Sequence, residues 1–406
     1  MRVLLINKFH YLKGGAERAY FDTAHILAEN GHEVAFFAMA HPENLKTPWS
    51  RFFVSGVDYH DAQASIGAKL RAAGRILWNH EAAVKLDALI REFKPDVAHL
   101  HNIYHQLSPS ILWTLKKHGV RMVMTLHDYK LISPNYSLLV RGRIWDHTSG
   151  WRAIFDRAVQ DSYLKSLICA VEQGVHRVIR SYGLVNVFLA PSYFLIEKFR
   201  AAGFRYPIQK VVQPICPFPA PPETTRGDYL LSIGRLAEEK GVATLLEACR
   251  QLQGAVNVKI IGTGPAESEL RERAQNIAGV EFLGYQTGPV WEQALRGAQA
   301  LVMPSIWYEN MPYVVLEALS RGTPVIASRL GGVPERITEG VNGFLFQPGD
   351  AADLVRAIQK LRLIPDPLRF SQAVYESVGD ARPEAYYQTL LAVYASGLPP
   401  HDPPVH

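Results

Sequence analysis

Short apolar runs alternate with helical patterns along most of this chain. In the first half, the runs that fit strands cover residues 3–6, 34–38, 97–100, 120–126 and 187–189. In the second half they cover residues 229–233, 258–261, 280–283, 300–303, 324–327 and 344–346. Strands that alternate with helices in this way favour βαβ units and parallel sheets. The sequence therefore predicts an α/β fold.

The length predicts two domains. The chain has 406 residues, 48% of them hydrophobic, which suits two cores of roughly 200 residues each better than one. Residues 214–228 contain five prolines and no helical period, which indicates an extended linker. We predict a first domain over 1–213, the linker over 214–228, a second domain over 229–380 and a final helix over 381–398.

Cysteine spacing and charge indicate which cofactors, locations and partners to expect. Cys169, Cys216 and Cys249 lie far apart without a C-x-x-C pair, so neither a disulfide framework nor a zinc site is indicated. The first apolar run is too short for a signal peptide or membrane span, and a cytoplasmic location is expected. Residues 1–215 hold 27 Lys and Arg against 17 Asp and Glu. Because no nucleic-acid signature is present, this excess of positive charge indicates an anionic substrate or an anionic membrane surface. The alternative is that the charge has no specific partner.

Two carboxylates, Glu309 and Glu317, give the best indication of function. Pro312 suits the first turn of a helix, so a helix is predicted to begin at about residue 312. Glu317 then lies on an apolar helix, where an unpaired carboxylate is costly to bury. Ligand hydroxyls would satisfy it, and free N–H groups near Met311 suit a phosphate. Two solvated carboxylates are the alternative.

Two cations follow the first strand of the second half. Gly234 and Arg235 lie in the turn, and Lys240 lies close to the start of the next helix. A guanidinium, an ammonium and a helix end together would clamp a diphosphate. The alternative is a solvated loop in which these cations pair with Glu238 and Glu239.

The glycine turns of both halves suit close approach to a ligand. Gly262 and Gly264 lack the third glycine of a dinucleotide fingerprint, so they are weak evidence for NAD. There is no Walker A sequence and no Asp-x-Asp, so we expect neither a metal ion nor a further cofactor. In the first half, Gly14 and Gly15 would let backbone pass beside a phosphate or sugar, although a tight turn alone also explains them.

Histidines follow two strands of the first half. His127 comes directly after one of them, at the carboxyl end where ligands bind in open α/β sheets. It could donate a hydrogen bond to a sugar hydroxyl or a leaving phosphate, although a lone histidine is more often structural. His99 and His101 end another strand, but without a third ligand they do not indicate a metal site.

These motifs together resemble the family 4 retaining glycosyltransferases of the GT-B fold. The resemblance covers most of the chain and is carried by Gly14-Gly15, residues 96–101, residues 125–128, Gly234-Arg235, Lys240-Gly241, residues 262–264, Glu309 with Glu317, and residues 331–335. It implies two facing, doubly wound Rossmann-like domains and a final helix that crosses back to the first.

The resemblance also implies roles for individual residues. Glu317 would bind the ribose of a nucleotide diphosphate sugar of the UDP or GDP type, and Arg235 with Lys240 would bind its diphosphate. Glu309 and the backbone after it, over Asn310, Met311 and Pro312, would hold the donor sugar, and His127 would lie near it. The sugar would pass to a hydroxyl of a glycan or lipid-linked acceptor with retention at the anomeric carbon.

Some stretches refine this expectation. Residues 127–136 resemble a subset that acts in bacterial surface polysaccharide assembly, but the cysteines that often follow are absent from residues 141–147. Asn310, Met311 and Pro312 replace a glycine and phenylalanine common in relatives, so the sugar subsite differs. Residues 69–78 have the composition of a helix that could rest on anionic headgroups, or of an ordinary surface helix.

Other functions on the same scaffold remain open from the sequence. An epimerase would need an acid and a base around a ring carbon of the sugar, and a glycogen-type phosphorylase would need a lysine that anchors a cofactor. Neither can be placed. A module that binds nucleotide sugars without turnover is the third possibility, because a fold alone does not establish activity.

Overall fold

The computed structural model describes residues 1–56, 74–222 and 226–396, which contain two parallel sheets. The strands are β1 (Arg2–Ile6), β2 (Glu33–Phe37), β3 (Val97–Leu100), β4 (Arg121–Thr125), β5 (Leu139–Val140), β6 (Arg143–Ile144), β7 (Val187–Ala190), β8 (Ile208–Lys210), β9 (Tyr229–Ile233), β10 (Asn257–Ile261), β11 (Val280–Gly284), β12 (Ala300–Met303), β13 (Val325–Ser328) and β14 (Gly343–Phe346).

Helices connect these strands. They are α1 (Gly15–Glu29), α2 (His80–Phe93), α3 (Ser110–Lys117), α4 (Gly150–Phe155), α5 (Tyr163–Val178), α6 (Tyr193–Ala201), α7 (Val242–Gln251), α8 (Glu267–Ala274), α9 (Gly288–Gly297), α10 (Tyr313–Leu319), α11 (Ala351–Arg362), α12 (Pro367–Glu376) and α13 (Pro383–Ser396). Short 3-10 turns lie at Pro48–Phe52, Ser181–Leu184, Glu238–Lys240, Val333–Arg336 and Gly379–Ala381.

Each half of the chain forms one six-stranded sheet. The strand orders are β2-β1-β3-β4-β7-β8 and β11-β10-β9-β12-β13-β14, and every neighbouring pair within the two sheets is parallel. In both sheets the strand order reverses direction next to the first strand of that half, which is where doubly wound folds bind ligands. The predicted pair of Rossmann-like domains is confirmed.

The strands are apolar because helices cover both faces of each sheet. All four residues of β3 and of β7 are buried, as are all four of β12 and of β13. Strands buried on both faces form short continuous apolar runs rather than alternating patterns. This helps to explain why the runs in the sequence located eleven of the twelve strands of the two sheets to within about two residues.

The final helix returns to the first domain, as predicted. Leu390 and Tyr394 of α13 pack in one core cluster with Tyr20 of α1 and with residues of the first sheet. Tyr386 shares a hydrogen bond of 2.8 Å with Thr23, and Tyr394 shares one of 2.8 Å with His99. The helix therefore contributes directly to the core of the first domain.

The stretch predicted as a linker has no helix or strand within its described residues, but it is held against the second domain. Ile215 is buried in a core cluster of that domain. The guanidinium of Arg226 donates to the carbonyl oxygens of Arg296 and Arg321 and to the hydroxyls of Thr323 and Ser371. This stretch therefore packs on the domain that follows it.

Two structural observations bear on the predictions about membrane contact. Among the described residues, no helix has the length and apolar content needed to cross a bilayer. Residues 69–73 of the predicted amphipathic stretch lie outside the described residues. In the described part, Arg75 donates to Glu81 at 2.9 Å and Ile76 is buried. Trp78, by contrast, is 46% exposed. The apolar residues of this part therefore do not all face the protein.

Candidate functional site

Two adjoining cavities lie at the carboxyl ends of the two sheets. A cavity of about 280 Å³ between the domains is lined by Gly15, His127 and residues 307–313. A smaller one of about 40 Å³ lies in the second domain and is lined by Gly234, Arg235 and Lys240. Both cavities include Glu309 and Pro312 in their walls. Candidate residues from both halves of the sequence, separated by up to about 300 positions, are thus brought to one cleft.

Glu309 is the most highly connected of the predicted residues. Its side chain is 7% exposed. One carboxylate oxygen, Oε1, accepts from Lys240 Nζ at 2.6 Å, Trp307 Nε1 at 2.8 Å and Ser305 Oγ at 3.0 Å. Three donors on one oxygen hold the carboxylate in a single orientation at the junction of the cavities.

The two predicted cations have different partners. Lys240 Nζ bonds to Glu309 and lies 5.0 Å from the centre of the Trp307 ring. Arg235 is 65% exposed and pairs with Glu239. The loop salt bridge that the sequence left open is therefore present for Arg235 but not for Lys240. Both side chains border the small cavity, Lys240 as a fixed cation and Arg235 as a solvated one.

Helix α10 begins close to the residue that Pro312 predicted. It starts at Tyr313, with Pro312 in the capping position just before it, one residue later than expected. Met311 is buried. The Asn310 amide donates to the backbone oxygen of His127 at 2.8 Å, so the loop that carries Glu309 is tied to the opposite domain. Gly331 and Gly332 lie under this loop, because a Cβ at Gly332 would come within 1.9 Å of the Asn310 oxygen.

Glu317 does not line either cavity, unlike Lys240 and Arg235, which border the smaller one. Its carboxylate accepts from Arg18 of the first domain at 3.2 Å. Burial raises the pKa of Glu317, and the positive charge of Arg18 partly offsets this effect. The buried carboxylate of Glu317 therefore has a guanidinium as a partner, which meets the need of a carboxylate on an apolar helix.

Arg18 was not predicted from the sequence, and neither were Ser305 and Trp307, which donate to Glu309. Arg18 also donates to Asp22 at 3.0 Å and lies 5.6 Å from the Tyr313 ring centre. Burial raises the pKa of Asp22 to about 6 despite this contact. The only signal was the position of Arg18 three residues beyond Gly15, which nothing in the sequence connected to Glu317.

The predicted glycines differ in whether the packing of the protein requires them. A Cβ at Gly262 would lie 1.9 Å from the Gly234 oxygen, and one at Gly264 would lie 2.3 Å from the Leu236 oxygen. These glycines therefore let two backbone turns pack together, and neither lines the cavities. Gly14 has extended backbone, and a Cβ at Gly15 would meet nothing closer than Tyr313 at 3.5 Å. Internal packing does not require either of them.

His127 is half-buried and lies at the end of a row of three histidines, of which His99 and His101 are buried. Its Nε2 lies 2.9 Å from His101 Nδ1, and the two rings stack at 5.1 Å. His101 stacks in turn on His99, which bonds to Thr125 at 2.7 Å. Burial, followed by the positive charge of Lys8, lowers the pKa of His127 to about 3. The imidazole is therefore neutral at physiological pH.

The neighbouring ring indicates which nitrogen of His127 carries the proton. Nε2 of His101 is buried and has no partner among the described residues. An unpaired acceptor is tolerated better there than an unpaired N–H, so His101 is assigned its proton on Nδ1 and donates to His127. This tautomer leaves the Nδ1–H of His127 as a hydrogen-bond donor, on a residue that lines the larger cavity.

Comparisons with known proteins agree with this geometry. A family model described as Glycosyltransferase Family 4 matches residues 13–204, and one described as Glycosyl transferases group 1 matches residues 227–362. The first covers the half with Gly14, Gly15 and His127, and the second covers Arg235, Lys240, Glu309 and Glu317. Together the two models span most of both domains.

Individual proteins are also similar to this chain in sequence. The chain is 26% identical over 354 residues to an uncharacterized 42.6 kDa protein in the cps region of Klebsiella pneumoniae, with 82% of this chain and 87% of that protein covered. It is 32% identical over 146 residues to the Salmonella typhimurium colanic acid biosynthesis glycosyltransferase WcaL, with 33% of this chain and 36% of that protein covered. The matched stretch thus spans about a third of WcaL.

A solved structure supports the fold. The Anabaena protein Alr3699/HepE, in complex with UDP, superposes with a TM-score of 0.68 at 16% identity, and 98% of this chain and 100% of that chain are covered. At this identity the likeness concerns the arrangement of the two domains.

Proposed function

Because this chain belongs to the family 4 glycosyltransferases of the GT-B fold, we propose that it transfers a sugar from a nucleotide diphosphate donor to an acceptor hydroxyl. The observation that carries the proposal is the fixed pair of Lys240 and Glu309 at the junction of the two cavities. A cation at this point would neutralise a diphosphate, while the carboxylate beside it would accept from sugar hydroxyls.

The donor would extend through both cavities. In this proposal its diphosphate lies near Lys240, with Arg235 free to swing in from solvent because its side chain is largely exposed. Its sugar lies in the larger cavity, near the backbone of residues 309–312 and the Nδ1–H of His127. A UDP sugar is the preferred candidate, since the structural neighbour from Anabaena has been solved in complex with UDP and with UDP-glucose.

Glu317 keeps the ribose as its proposed ligand, but the contact requires a rearrangement. Arg18 now donates to its carboxylate, so the ribose hydroxyls would replace or share that donor. Arg18 would then be released next to the incoming nucleotide, where its positive charge would attract the negatively charged phosphates.

The chemistry we propose proceeds with retention. The acceptor oxygen forms a bond to the anomeric carbon on the face that the diphosphate leaves, the bond from that carbon to the phosphate oxygen breaks, and the acceptor proton passes to the leaving phosphate oxygen. The protein orients the two substrates and stabilises the charge that develops on the diphosphate. Closure of the two domains around them excludes water and so limits hydrolysis of the donor.

For the acceptor we propose a glycan or lipid-linked glycan of a bacterial surface polysaccharide. The relatives that support this include colanic acid and amylovoran biosynthesis glycosyltransferases. The acceptor would enter the larger cavity from the side of the first domain, past Gly15 and Tyr136, which line it.

The test is a turnover assay with UDP, GDP and ADP sugars in the presence of lipid-linked oligosaccharide. Release of a nucleoside diphosphate with one of these donors, together with a product of retained anomeric configuration by NMR, is the expected result. Interconversion of the free nucleotide sugars would instead identify an epimerase. Tight binding of the donor without any turnover would identify a binding module.

A further inference from the structure

Helix α5 is inverted with respect to its surroundings. Its apolar residues point to solvent and form one stripe along the helix: Tyr163, Leu164, Leu167, Val171 and Val178 are all exposed. Its opposite face is buried and polar, with Ser166, Cys169, Glu172 and His176 at helical spacing. A surface helix normally turns its apolar stripe inward. The unusual orientation of α5 must therefore be fixed by other contacts, and it leaves an apolar stripe exposed.

The cause is a set of polar contacts beneath the helix. Glu172 pairs with buried Lys130 at 2.8 Å and contacts His105 at 3.2 Å. Burial alone would raise the pKa of Glu172, but the charge of Lys130 and the contact with His105 lower it to about 2. Ser166 accepts from the Val159 amide at 3.0 Å. Rotation of the helix would leave a buried charge unpaired, so the apolar stripe is held outward.

The exposed stripe continues onto helix α4. Trp151 and Phe155 are each 75% exposed. The two helices pack closely, since a Cβ at Gly150 would lie 3.2 Å from that of Ala170. We call the combined surface the α4–α5 apolar face, formed by Trp151, Phe155, Tyr163, Leu164, Leu167, Val171 and Val178. Large exposed apolar patches on soluble proteins mark interaction sites.

The charges around this face select the partner. Residues 136–180 contain seven Lys and Arg against four Asp and Glu. All four acids have cationic partners: Glu172 pairs with Lys130, Asp146 with Lys198, Asp156 with Arg152, and Asp161 with Arg141 and Arg157. The rim is therefore cationic, with Lys165, Arg177 and Arg180 exposed. A second copy of this chain would bring two cationic rims together, whereas anionic lipid headgroups complement them.

We propose that the α4–α5 apolar face docks on an anionic lipid surface. Aromatic and aliphatic side chains enter the boundary of headgroups and acyl chains, and the cations of the rim bind the headgroups. The purpose of the contact rests on the proposed function: the chain runs from Tyr136 and Ser137, which line the larger cavity, directly into this region. A lipid-linked acceptor in the same bilayer would then lie near the cleft.

The test is flotation of the full chain with phosphatidylcholine vesicles, with and without phosphatidylglycerol, at low and high ionic strength. The variant is Trp151→Ser combined with Phe155→Ser, and the matched control is Leu363→Ser. Leu363 is 80% exposed but lies in the second domain. All three side chains are exposed, so folding is retained, and thermal melting checks this.

The wild type and the control are expected to float with vesicles that contain phosphatidylglycerol, and the fraction bound should fall at high salt. The double variant should bind roughly tenfold or more weakly, because two large apolar side chains no longer enter the lipid. Equal flotation of the variant and the wild type, or no flotation of the wild type, overturns the proposal. A wild-type dimer that becomes a monomer in the variant, by light scattering, would overturn it in favour of a second copy.

Failure here is distinguishable from failure of the proposed function. Vesicle binding is measured without any donor, and release of nucleoside diphosphate with a water-soluble acceptor is measured without vesicles. The double variant should retain that release at the level of the wild type, since neither Trp151 nor Phe155 lines the cleft cavities.

Discussion

Arg18 bridges two buried carboxylates, and its removal tests the electrostatics of the cleft. The change is Arg18→Met, which keeps much of the aliphatic volume and removes the charge. Arg18 now donates to Glu317 at 3.2 Å and to Asp22 at 3.0 Å. Burial raises the pKa of both acids even with Arg18 present, to about 6 for Asp22.

The expected loss follows from these contacts. Two largely buried carboxylates lose their charged donor, which costs about 1–3 kcal/mol of unfolding free energy at pH 7. For domains of this size that corresponds to a lower melting temperature by about 2–12 °C. The control is Arg51→Met, since Arg51 and its partner Glu92 are both exposed and such pairs contribute little.

The loss should depend on pH in a defined direction. An acid whose pKa is raised on folding destabilises the folded state when ionised, and this cost disappears as it becomes protonated. The difference between Arg18→Met and the wild type should therefore be present at pH 7, should shrink as the pH falls towards about 6 and should be largely lost below it. Differential scanning calorimetry from pH 4.5 to pH 8 measures it. An unchanged melting temperature at pH 7, or a loss that does not shrink in acid, would refute the reasoning.

Three further predictions concern the cleft. Gly264→Ala should lower the melting temperature by several °C, because its Cβ would lie 2.3 Å from the Leu236 oxygen. Gly14→Ala should leave the melting temperature unchanged, because its nearest neighbour is at 3.8 Å, so that any loss of donor affinity in titration calorimetry reports a ligand contact. His127→Ala should lower turnover by roughly 10²-fold, and the wild-type pH profile should show no ionisation of His127 between pH 5 and 8, since its pKa lies at about 3.

Each of these has a result that contradicts it. Equal melting of Gly264→Ala and the wild type would show that the turn has room to move. Destabilisation by Gly14→Ala would assign that glycine to folding rather than to a ligand. A step in the pH profile near pH 6 that vanishes in His127→Ala would mean that the imidazole is charged in the working enzyme.

The sheets could be predicted from the sequence because their strands are buried on both faces. A strand such as β12 is then a short apolar run that needs no knowledge of its neighbours. Strand β8 was missed because only Ile208 of its three residues is buried. The hairpin of β5 and β6 was missed because each strand has two residues and neither is buried.

The candidate site was predictable in part. Local spacing placed Glu309 ahead of a helix and His127 at the end of a strand, and both positions are confirmed. The contacts across the cleft were not predictable, since Arg18 and Glu317 are 299 positions apart and meet only because two domains face each other. Likewise, the helical spacing of the apolar residues in α5 does not determine which face of the helix turns inward.

The central claim is that Lys240 supplies positive charge for the diphosphate of the donor. Calorimetric titration of UDP into the wild type, Lys240→Met and the control Lys360→Met tests it most directly. Lys360 is an exposed lysine of the same domain, on α11. We predict that UDP binds the wild type and the control equally and binds Lys240→Met about tenfold or more weakly. Equal affinity for all three proteins, or no binding of UDP to the wild type, would contradict the claim.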